Sequence, residues 1–151
     1  MPPATPPPNE AERLRALRRC HVLDSGADPA IDRLVTLATD LLDAPIGLVS
    51  LVDEDRQWFK ACSGLGVRET PRDHAICAYA LHGPEPLVIE DASTDPRTAD
   101  NPLVAGEPCI RFYAGCPLVL ASGHIAGTLC VIDREPRSIG DRDLGRLGAL
   151  A

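Results

Sequence analysis

The sequence predicts an α+β domain built on a central antiparallel sheet with helices on both faces. Two segments have the 3.6-residue periodicity of amphipathic helices, and several shorter runs are apolar, as buried strands are. The last two of these runs are joined by a tight-turn sequence and are apolar at odd and even positions alike. Strands with that pattern are buried on both sides, so the sheet needs a layer of helices on each face.

Composition limits the classes of function that the chain could have. Its 151 residues carry a formal net charge of −7 and are 44% hydrophobic, which describes one ordinary domain able to bury a core. It lacks the clustered Lys and Arg of nucleic-acid binders, an apolar run of about 20 residues for a membrane span, and the apolar core of a secretory signal. We therefore expect a cytoplasmic protein with no nucleic-acid partner and no membrane association.

The six cysteines lack the spacing of a metal site. None forms a CxxC motif, and no His/Cys cluster has zinc-ligand spacing. In a reducing compartment such thiols act mostly as small buried hydrophobic side chains. We expect no metal and no resident cofactor, and leave open a small-molecule ligand of unknown identity.

The N-terminal part predicts a leader and a first helix. Residues 1–8 contain five prolines and no periodic pattern, so we expect a disordered leader followed by a single domain over residues 9–151. Asn9 and Glu12 form a variant of the capping box, which predicts a helix over residues 10–22. The polar face of this helix carries a run of arginines that we interpret as exposed to solvent: Arg13, Arg15, Arg18 and Arg19.

A second helix and a hairpin follow. Asp28 before Pro29 is a cap with proline at the first helical position, and the apolar residues after it recur at i, i+3, i+4 and i+7 until Pro45 ends the helix. Ile46–Val52 is a short run of branched residues that predicts a buried strand. An acidic turn then leads into a returning strand over residues 57–62, which predicts an antiparallel pair.

The middle of the chain predicts a third helix and a long covering loop. Thr70-Pro71 with Asp73 opens this helix, which His82-Gly83-Pro84 stops, and a short strand over residues 87–90 follows. The polar segment over residues 91–108 holds two Pro-containing turn signals and one short helix near Leu103. Loops of this length in compact domains are usually functional covers.

Two strands and a helix complete the predicted fold. The strands cover residues 110–120 and 125–133, and Ser122-Gly123 suits the tight turn between them. Leu144, Leu147 and Ala151 then form one stripe of a last helix. We expect this helix to continue in a longer parent protein or to end early here.

Several short motifs, taken together in this order, resemble a GAF domain of the bacterial sensor subgroup, which occurs beside histidine kinases and diguanylate cyclases. Together they span nearly all of residues 9–151. The main ones are Ala44-Pro45-Ile46, Asp55-Arg56-Gln57-Trp58-Phe59-Lys60, Glu69-Thr70-Pro71-Arg72, Asp95-Pro96-Arg97, Asn101-Pro102-Leu103-Val104, Arg111-Phe112-Tyr113-Ala114-Gly115 and Gly127-Thr128-Leu129-Cys130-Val131-Ile132-Asp133.

The resemblance implies a GAF (PAS-like) sheet of five to six strands, with the N- and C-terminal helices on one face. The third helix and the long loop would enclose a small-molecule pocket on the other face. It further implies a non-catalytic sensor in bacterial signal transduction, which binds a small effector, forms a homodimer through its terminal helices, or does both. Such a sensor would relay a signal to an output kinase or cyclase domain of a longer parent. The alternative is a cysteine-dependent GAF enzyme of the free methionine sulfoxide reductase type.

Charged residues around the long loop are candidates for ligand binding. Asp91, Asp95 and Arg97 lie on the loop, and Arg111 lies at the start of the next strand. Either the arginines present planar donor groups to an anionic ligand, or they pair with the aspartates and fix the loop. Asp91, Arg97 and Arg111 are therefore candidate ligand-binding residues, and both interpretations stay open.

Aromatic side chains provide further pocket candidates. Trp58 and Phe59 are neighbours on a strand and point to opposite faces, so one of them lies on the pocket side or beneath a helix. We carry Trp58 as a candidate, although it also fits a position in the core. Tyr79 and Tyr113 are better candidates, because a buried tyrosine hydroxyl needs a partner.

His74, Cys77 and Cys116 complete the candidate set. His74 and Cys77 share one helix face, but no third residue at suitable spacing completes a metal site or a catalytic group. Cys77 is also not followed by histidine, so we do not expect the covalent pigment of bilin-binding relatives. A two-residue turn at Ser122-Gly123 would pair Cys116 with Leu129 and place the thiols of Cys116 and Cys130 on opposite faces, whereas a disulfide needs a bulged register.

Overall fold

A six-stranded antiparallel sheet lies at the centre of the structure, a computed structural model that describes residues 4–151. The strands, in chain order, are β1 (Ile46–Val52), β2 (Arg56–Ser63), β3 (Glu69–Pro71), β4 (Leu87–Ile89), β5 (Phe112–Val119) and β6 (Ile125–Asp133). They are arranged in the order β3-β2-β1-β6-β5-β4, and every neighbouring pair is antiparallel. The predicted α+β class with an antiparallel sheet of five to six strands is confirmed, and β3 is an edge strand that the sequence did not place.

Helices and irregular segments cover the two faces of the sheet. The helices are α1 (Glu10–Arg19), α2 (Pro29–Leu42), α3 (Pro102–Ala105) and α4 (Asp141–Leu150). One face, here called the helix face, carries Val49, Leu129 and Val131 and packs against α2 and α4. The opposite face, here called the cover face, carries Leu48 and Cys130 and packs against the chain between β3 and β5.

Local signals placed α2 and α3 correctly. The Asp28 side chain accepts a hydrogen bond from Ala30 N at 2.9 Å, and Asn101 Oδ1 accepts one from Leu103 N at 2.9 Å. Both caps satisfy amide groups that the first helical turn would otherwise leave without partners. Pro29 and Pro102 follow the caps at the first helical positions, where a missing N–H has no cost.

The predicted third helix over residues 70–82 is wrong. Thr70 and Pro71 instead belong to β3, and two 3₁₀ helices follow, Arg72–His74 and Ile76–His82. Ala75 between them has an extended backbone, with φ −79° and ψ 108°, which interrupts helical hydrogen bonding. Pro71 is tolerated in a strand because β3 lies at the sheet edge.

The β5–β6 hairpin has the predicted pairing. Cys116 lies opposite Leu129, and Gly115 lies opposite Cys130. Cys116 therefore packs on the helix face while Cys130 packs on the cover face, as predicted for the regular register. The register shift lies nearer the turn, between Leu118 and Val119, where it does not bring the two thiols together.

The N-terminal segment contacts the domain before α1 begins. Residues 4–8 form neither helix nor strand, Pro7 is buried, and the Thr5 carbonyl lies 2.7 Å from His82 Nε2. Residues 1–3 of the expected leader lie outside the described residues. The expectation of a disordered leader over residues 1–8 stays a prediction.

Helix α1 differs from its prediction in length, cap and exposed face. It ends at Arg19 rather than at residue 22, and Asn9 makes no side-chain capping bond. Arg15, Arg18 and Arg19 are exposed as expected, but Arg13 is buried. The interpretation of Arg13 as a solvent-exposed residue is therefore wrong.

Arg13 attaches α1 to the sheet. Its guanidinium donates to the Val52 carbonyl at 2.8 Å and to the Ile125 carbonyl at 3.2 Å, and it pairs with Glu10 at 2.8 Å. Glu10 also pairs with Arg72, at the start of the first 3₁₀ helix. Because its donors are occupied by carbonyls and a carboxylate, a charge that is 1% exposed is tolerated there.

Replacing Arg13 by Met is expected to destabilise the domain by about 3 kcal/mol, because the two strand-end carbonyls lose their donor and Glu10 loses a charge partner. Urea unfolding measures the change. Arg15→Met, on the same helix but 60% exposed, is the matched control and should change stability by less than about 0.5 kcal/mol. Similar losses in the two variants would contradict the structural role of Arg13.

Stability is also expected to fall in acid through Glu10. Burial alone would raise the pKa of the Glu10 carboxyl, but hydrogen bonds from Arg13 and Arg72 outweigh it and lower the pKa to about 2 from 4.5. A carboxyl whose folded pKa is lowered stabilises the fold above its unfolded pKa and loses that effect as pH falls towards 2. Unfolding measured at several pH values should show a shallower loss between pH 4.5 and 2 for Glu10→Gln than for the wild type. Glu12→Gln, on an exposed side chain, should follow the wild type.

Candidate functional site

A cavity of about 310 Å³ lies between the cover face and the segments that pack on it. Its floor comes from β1, β2, β5 and β6. Its sides come from the second 3₁₀ helix, the loop over residues 64–67, and the segment over residues 103–110, which begins in α3. The volume is at the lower end of small-molecule sites, which measure about 300–1,000 Å³. Most of its surface is apolar, with contributions from Leu48, Phe59, Ile76, Leu103, Ile110 and Ile132.

A buried polar cluster forms one end of the cavity. Gln57 Oε1 accepts hydrogen bonds from Ser50 Oγ at 2.9 Å and from Cys77 Sγ at 3.0 Å. Gln57 Nε2 donates to Thr70 Oγ1 at 2.6 Å. These three bonds fix the orientation of the Gln57 carboxamide. The second Nε2 hydrogen has no acceptor within residues 4–151, so it can serve a ligand.

Tyr113 lines the cavity from β5. Its hydroxyl lies 3.0 Å from Thr128 Oγ1, and burial raises the pKa of the phenol well above 10.0. The ring packs over Gly115, where a Cβ atom would come within 2.5 Å of the hydroxyl oxygen. A glycine at position 115 therefore leaves room for the Tyr113 ring to lie along the sheet. The hydroxyl is neutral and hydrogen-bonded, and the ring forms part of the cavity lining.

The cavity thiols are not activated. Burial raises the pKa of Cys77 to about 11, and the hydrogen bond with Ser50 lowers it by less. Burial likewise raises the pKa of Cys130 above the ordinary range. Since the thiolate is the nucleophilic form, these side chains act at neutral pH as small, weakly polar wall groups.

Of the predicted site residues, Cys77 and Tyr113 line the cavity. Trp58 does not, because it points to the helix face and packs with Leu17 of α1. Cys116 also lies on the helix face, where it packs with residues of α2 and α4. Both residues belong to the core on the far side of the sheet.

The candidate residues Tyr79, Asp91 and Arg97 make contacts within the cover and do not line the cavity. Arg97 pairs with Asp95 at 2.8 Å and lies over the ring of Tyr79, 6.0 Å from its centroid. Asp91 accepts from Ser93 N at 3.0 Å. These contacts hold the loop in place, which is the second of the two interpretations that we left open.

Arg111 and His74, two further candidates, also form hydrogen bonds with residues of the cover. Arg111 Nη1 donates to the carbonyls of Val104 and Ile110, each at 2.9 Å. The His74 carbonyl accepts from Asn101 Nδ2 at 3.1 Å. Neither Arg111 nor His74 lines the cavity.

Sequence reasoning missed Gln57, Thr70, Glu107 and Arg134, all of which line the cavity. Alternation along β2 was an available signal for Gln57, since Gln57 and Phe59 are two residues apart and both reach the cover face. Sequence spacing offers no comparable signal for Glu107 and Arg134, which come from separate loops.

The part of the chain that the structure describes contains neither a metal-binding cluster nor a membrane-spanning helix. Residues 4–151 hold no group of three His, Cys, Asp or Glu side chains able to bind a metal ion. Within the same residues, no helix has the length and apolar character needed to cross a bilayer.

A bacterial protein of known activity is similar to this chain in sequence. A cyclic di-GMP phosphodiesterase from Pseudomonas aeruginosa is 47% identical over 147 residues, which are 95% of this chain and 25% of that protein. The chain therefore spans about a quarter of the length of this relative.

Solved structures share the fold. The GAF domain of an Acinetobacter phosphoenolpyruvate-protein phosphotransferase has a TM-score of 0.67 and 23% identity, covering 92% of this chain and 87% of that chain. Free methionine-R-sulfoxide reductase from Neisseria meningitidis, in complex with its substrate, has a TM-score of 0.65 and 19% identity, covering 93% and 84%. A model of the GAF domain family matches residues 27–151. The chain belongs to the GAF domain family.

Proposed function

We propose that this GAF domain is a non-catalytic regulatory domain of a longer signalling protein and that it binds a small molecule in the cavity on the cover face. The cavity is the observation that supports this proposal most directly. It combines an apolar interior with a fixed polar group, Gln57, that retains a free donor. Sites for small ligands typically combine a mainly apolar lining with a few oriented polar groups.

The contacts around the cavity support a route to the N-terminal helix. Gln57 binds Thr70, and two residues later Arg72 pairs with Glu10 of α1. A ligand that moves Thr70 therefore acts next to the residue that holds α1. Such a ligand changes the position of α1 only if it binds two arrangements of this link with different affinity.

The surface of the helix face supports the proposed homodimer. Helices α1, α2 and α4 border an apolar groove, and on α2 Leu37 and Leu41 are 49% and 44% exposed. Exposed apolar patches of this kind are common at protein interfaces. We propose a second copy of this domain as the partner.

The relative favours an output domain that acts on cyclic di-GMP. The matched protein is a cyclic di-GMP phosphodiesterase, of which this chain covers 25%. A phosphodiesterase domain is therefore a further candidate for the output domain, beside the kinase and cyclase domains that the sequence led us to expect. The output domain of the parent protein stays a prediction.

The chemistry of the thiols argues against the alternative of a methionine sulfoxide reductase. Such an enzyme needs an accessible thiol of low pKa and a resolving partner. Burial raises the pKa of Cys77 to about 11, and Cys116 lies on the opposite face of the sheet.

Filling the cavity is expected to abolish ligand binding. A panel of small bacterial metabolites should include at least one that raises the melting temperature of the wild-type domain, with about 2.7 kcal/mol of stabilisation at 100 times its Kd. Leu103→Trp places an indole in the cavity and should remove that shift. Val119→Trp, at an exposed position near the β5–β6 turn and outside the cavity, should retain it. A panel that gives no shift sensitive to Leu103→Trp would contradict binding in the cavity.

The thiol of Cys77 is expected to react slowly with an alkylating reagent. With a pKa of about 11, its thiolate fraction at pH 8 is roughly 100-fold below that of an unperturbed thiol. Iodoacetamide labelling of the native domain, followed by peptide mass spectrometry, should therefore modify the exposed Cys20 long before Cys77. Labelling of both residues at one rate would favour the enzyme alternative.

A further inference from the structure

One carboxylate and one guanidinium at the cavity have no partner among residues 4–151. Glu107 and Arg134 both line it, and both are exposed. In the described residues, neither side chain takes part in an ion pair or a hydrogen bond. By contrast, Arg97 and Arg111, on the same side of the sheet, are both occupied by contacts that hold the cover. Glu107 and Arg134 are therefore the charged groups that the cavity offers to a ligand.

The segments that carry the two charged residues meet at one end of the cavity. Arg134 directly follows Asp133, the last residue of β6, whose carbonyl accepts from Arg111 N at 2.9 Å. Glu107 precedes Arg111 by four residues, in the loop that leads to β5. This end of the cavity is here called the charged end.

The polar cluster around Gln57 marks the other end. Ile132, near the charged end, pairs with Ile46, whereas Gln57 binds Ser50, four residues further along β1. Four residues of strand span about 13 Å at about 3.3 Å per residue. The floor between the two ends is apolar, with Leu48 at its centre. The cavity thus has a charged end, an apolar middle and a neutral hydrogen-bonding end.

This arrangement discriminates between ligands by charge. An anionic ligand would gain Arg134 but would approach Glu107, and a cationic ligand would meet the reverse situation. A zwitterion satisfies both groups, since guanidinium binds carboxylate through paired donors and a carboxylate accepts from ammonium. An α-amino acid carries both charges at one end and its side chain at the other.

We propose that the cavity binds a free α-amino acid with a long apolar side chain, a ligand class that rests on the proposed sensor function. Its carboxylate binds Arg134, its ammonium binds Glu107, and its side chain extends over Leu48 towards Gln57. Affinity rises with the length of the side chain, by roughly fourfold for each buried methylene. Leucine and methionine therefore bind more tightly than alanine.

Calorimetric titration of the wild-type domain with L-leucine, 4-methylpentanoate and isopentylamine tests the proposal. The last two compounds keep the apolar chain but lack the ammonium or the carboxylate. We expect L-leucine to bind at least tenfold more tightly than either analogue. Arg134→Gln and Glu107→Gln should each weaken L-leucine binding at least tenfold. The matched controls Arg142→Gln and Glu135→Gln, at exposed positions outside the cavity, should leave it unchanged.

Two results overturn the zwitterion proposal and leave the sensor function standing. One is equal binding of L-leucine and its singly charged analogues. The other is the absence of amino-acid binding while another metabolite gives a melting shift that Leu103→Trp removes. If no metabolite gives a melting shift that Leu103→Trp removes, the proposed sensor function itself is contradicted. Circular dichroism of each variant checks that it is folded before its affinity is compared.

Discussion

The central strands of this domain must be covered on both faces, and the rest of the structure depends on that constraint. Every residue of β1 is buried, and β6 is buried over all but its last residue. Apolar surface of this extent drives packing on each side of the sheet. On the helix face, α2 and α4 meet the requirement with regular ridges of side chains. On the cover face it is met by short 3₁₀ helices and loops.

An irregular cover has to satisfy its own backbone. Thr98 and Asn101, both fully buried, bind the carbonyls of Ala92 and His74, and Arg111 binds two more. These side chains satisfy buried backbone carbonyls of the cover, which in a helix would be satisfied by backbone amide groups. The cover packs on the sheet through apolar side chains such as Ile76, Leu81 and Val104, but its irregular backbone leaves a cavity between them.

Charged groups at one end of the sheet join the two faces. Arg13 joins α1 to the ends of β1 and β6, and Glu10 joins Arg13 to Arg72. Arg72 lies two residues from Thr70, which closes the polar end of the cavity. The helix that would carry a signal out of the domain and the residues that would receive a ligand therefore belong to one bonded network.

The sequence by itself determined the elements whose signals are local: the caps of α2 and α3, the buried strand Ile46–Val52, and the pairing of Cys116 with Leu129. Each rests on residues close together in the chain. Only the tertiary structure decided that Arg13 is buried and that Gln57, rather than Trp58, reaches the cavity. The bond from Arg13 to Ile125 spans 112 residues. The faces on which Trp58 and Phe59 lie, relative to the rest of β2, depend on a register shift that leaves Lys60 unpaired between Ala61, opposite Val49, and Phe59, opposite Ser50. Helical or strand periodicity shows that a side chain lies on a given face, but the partner that this face meets is set by segments distant in sequence.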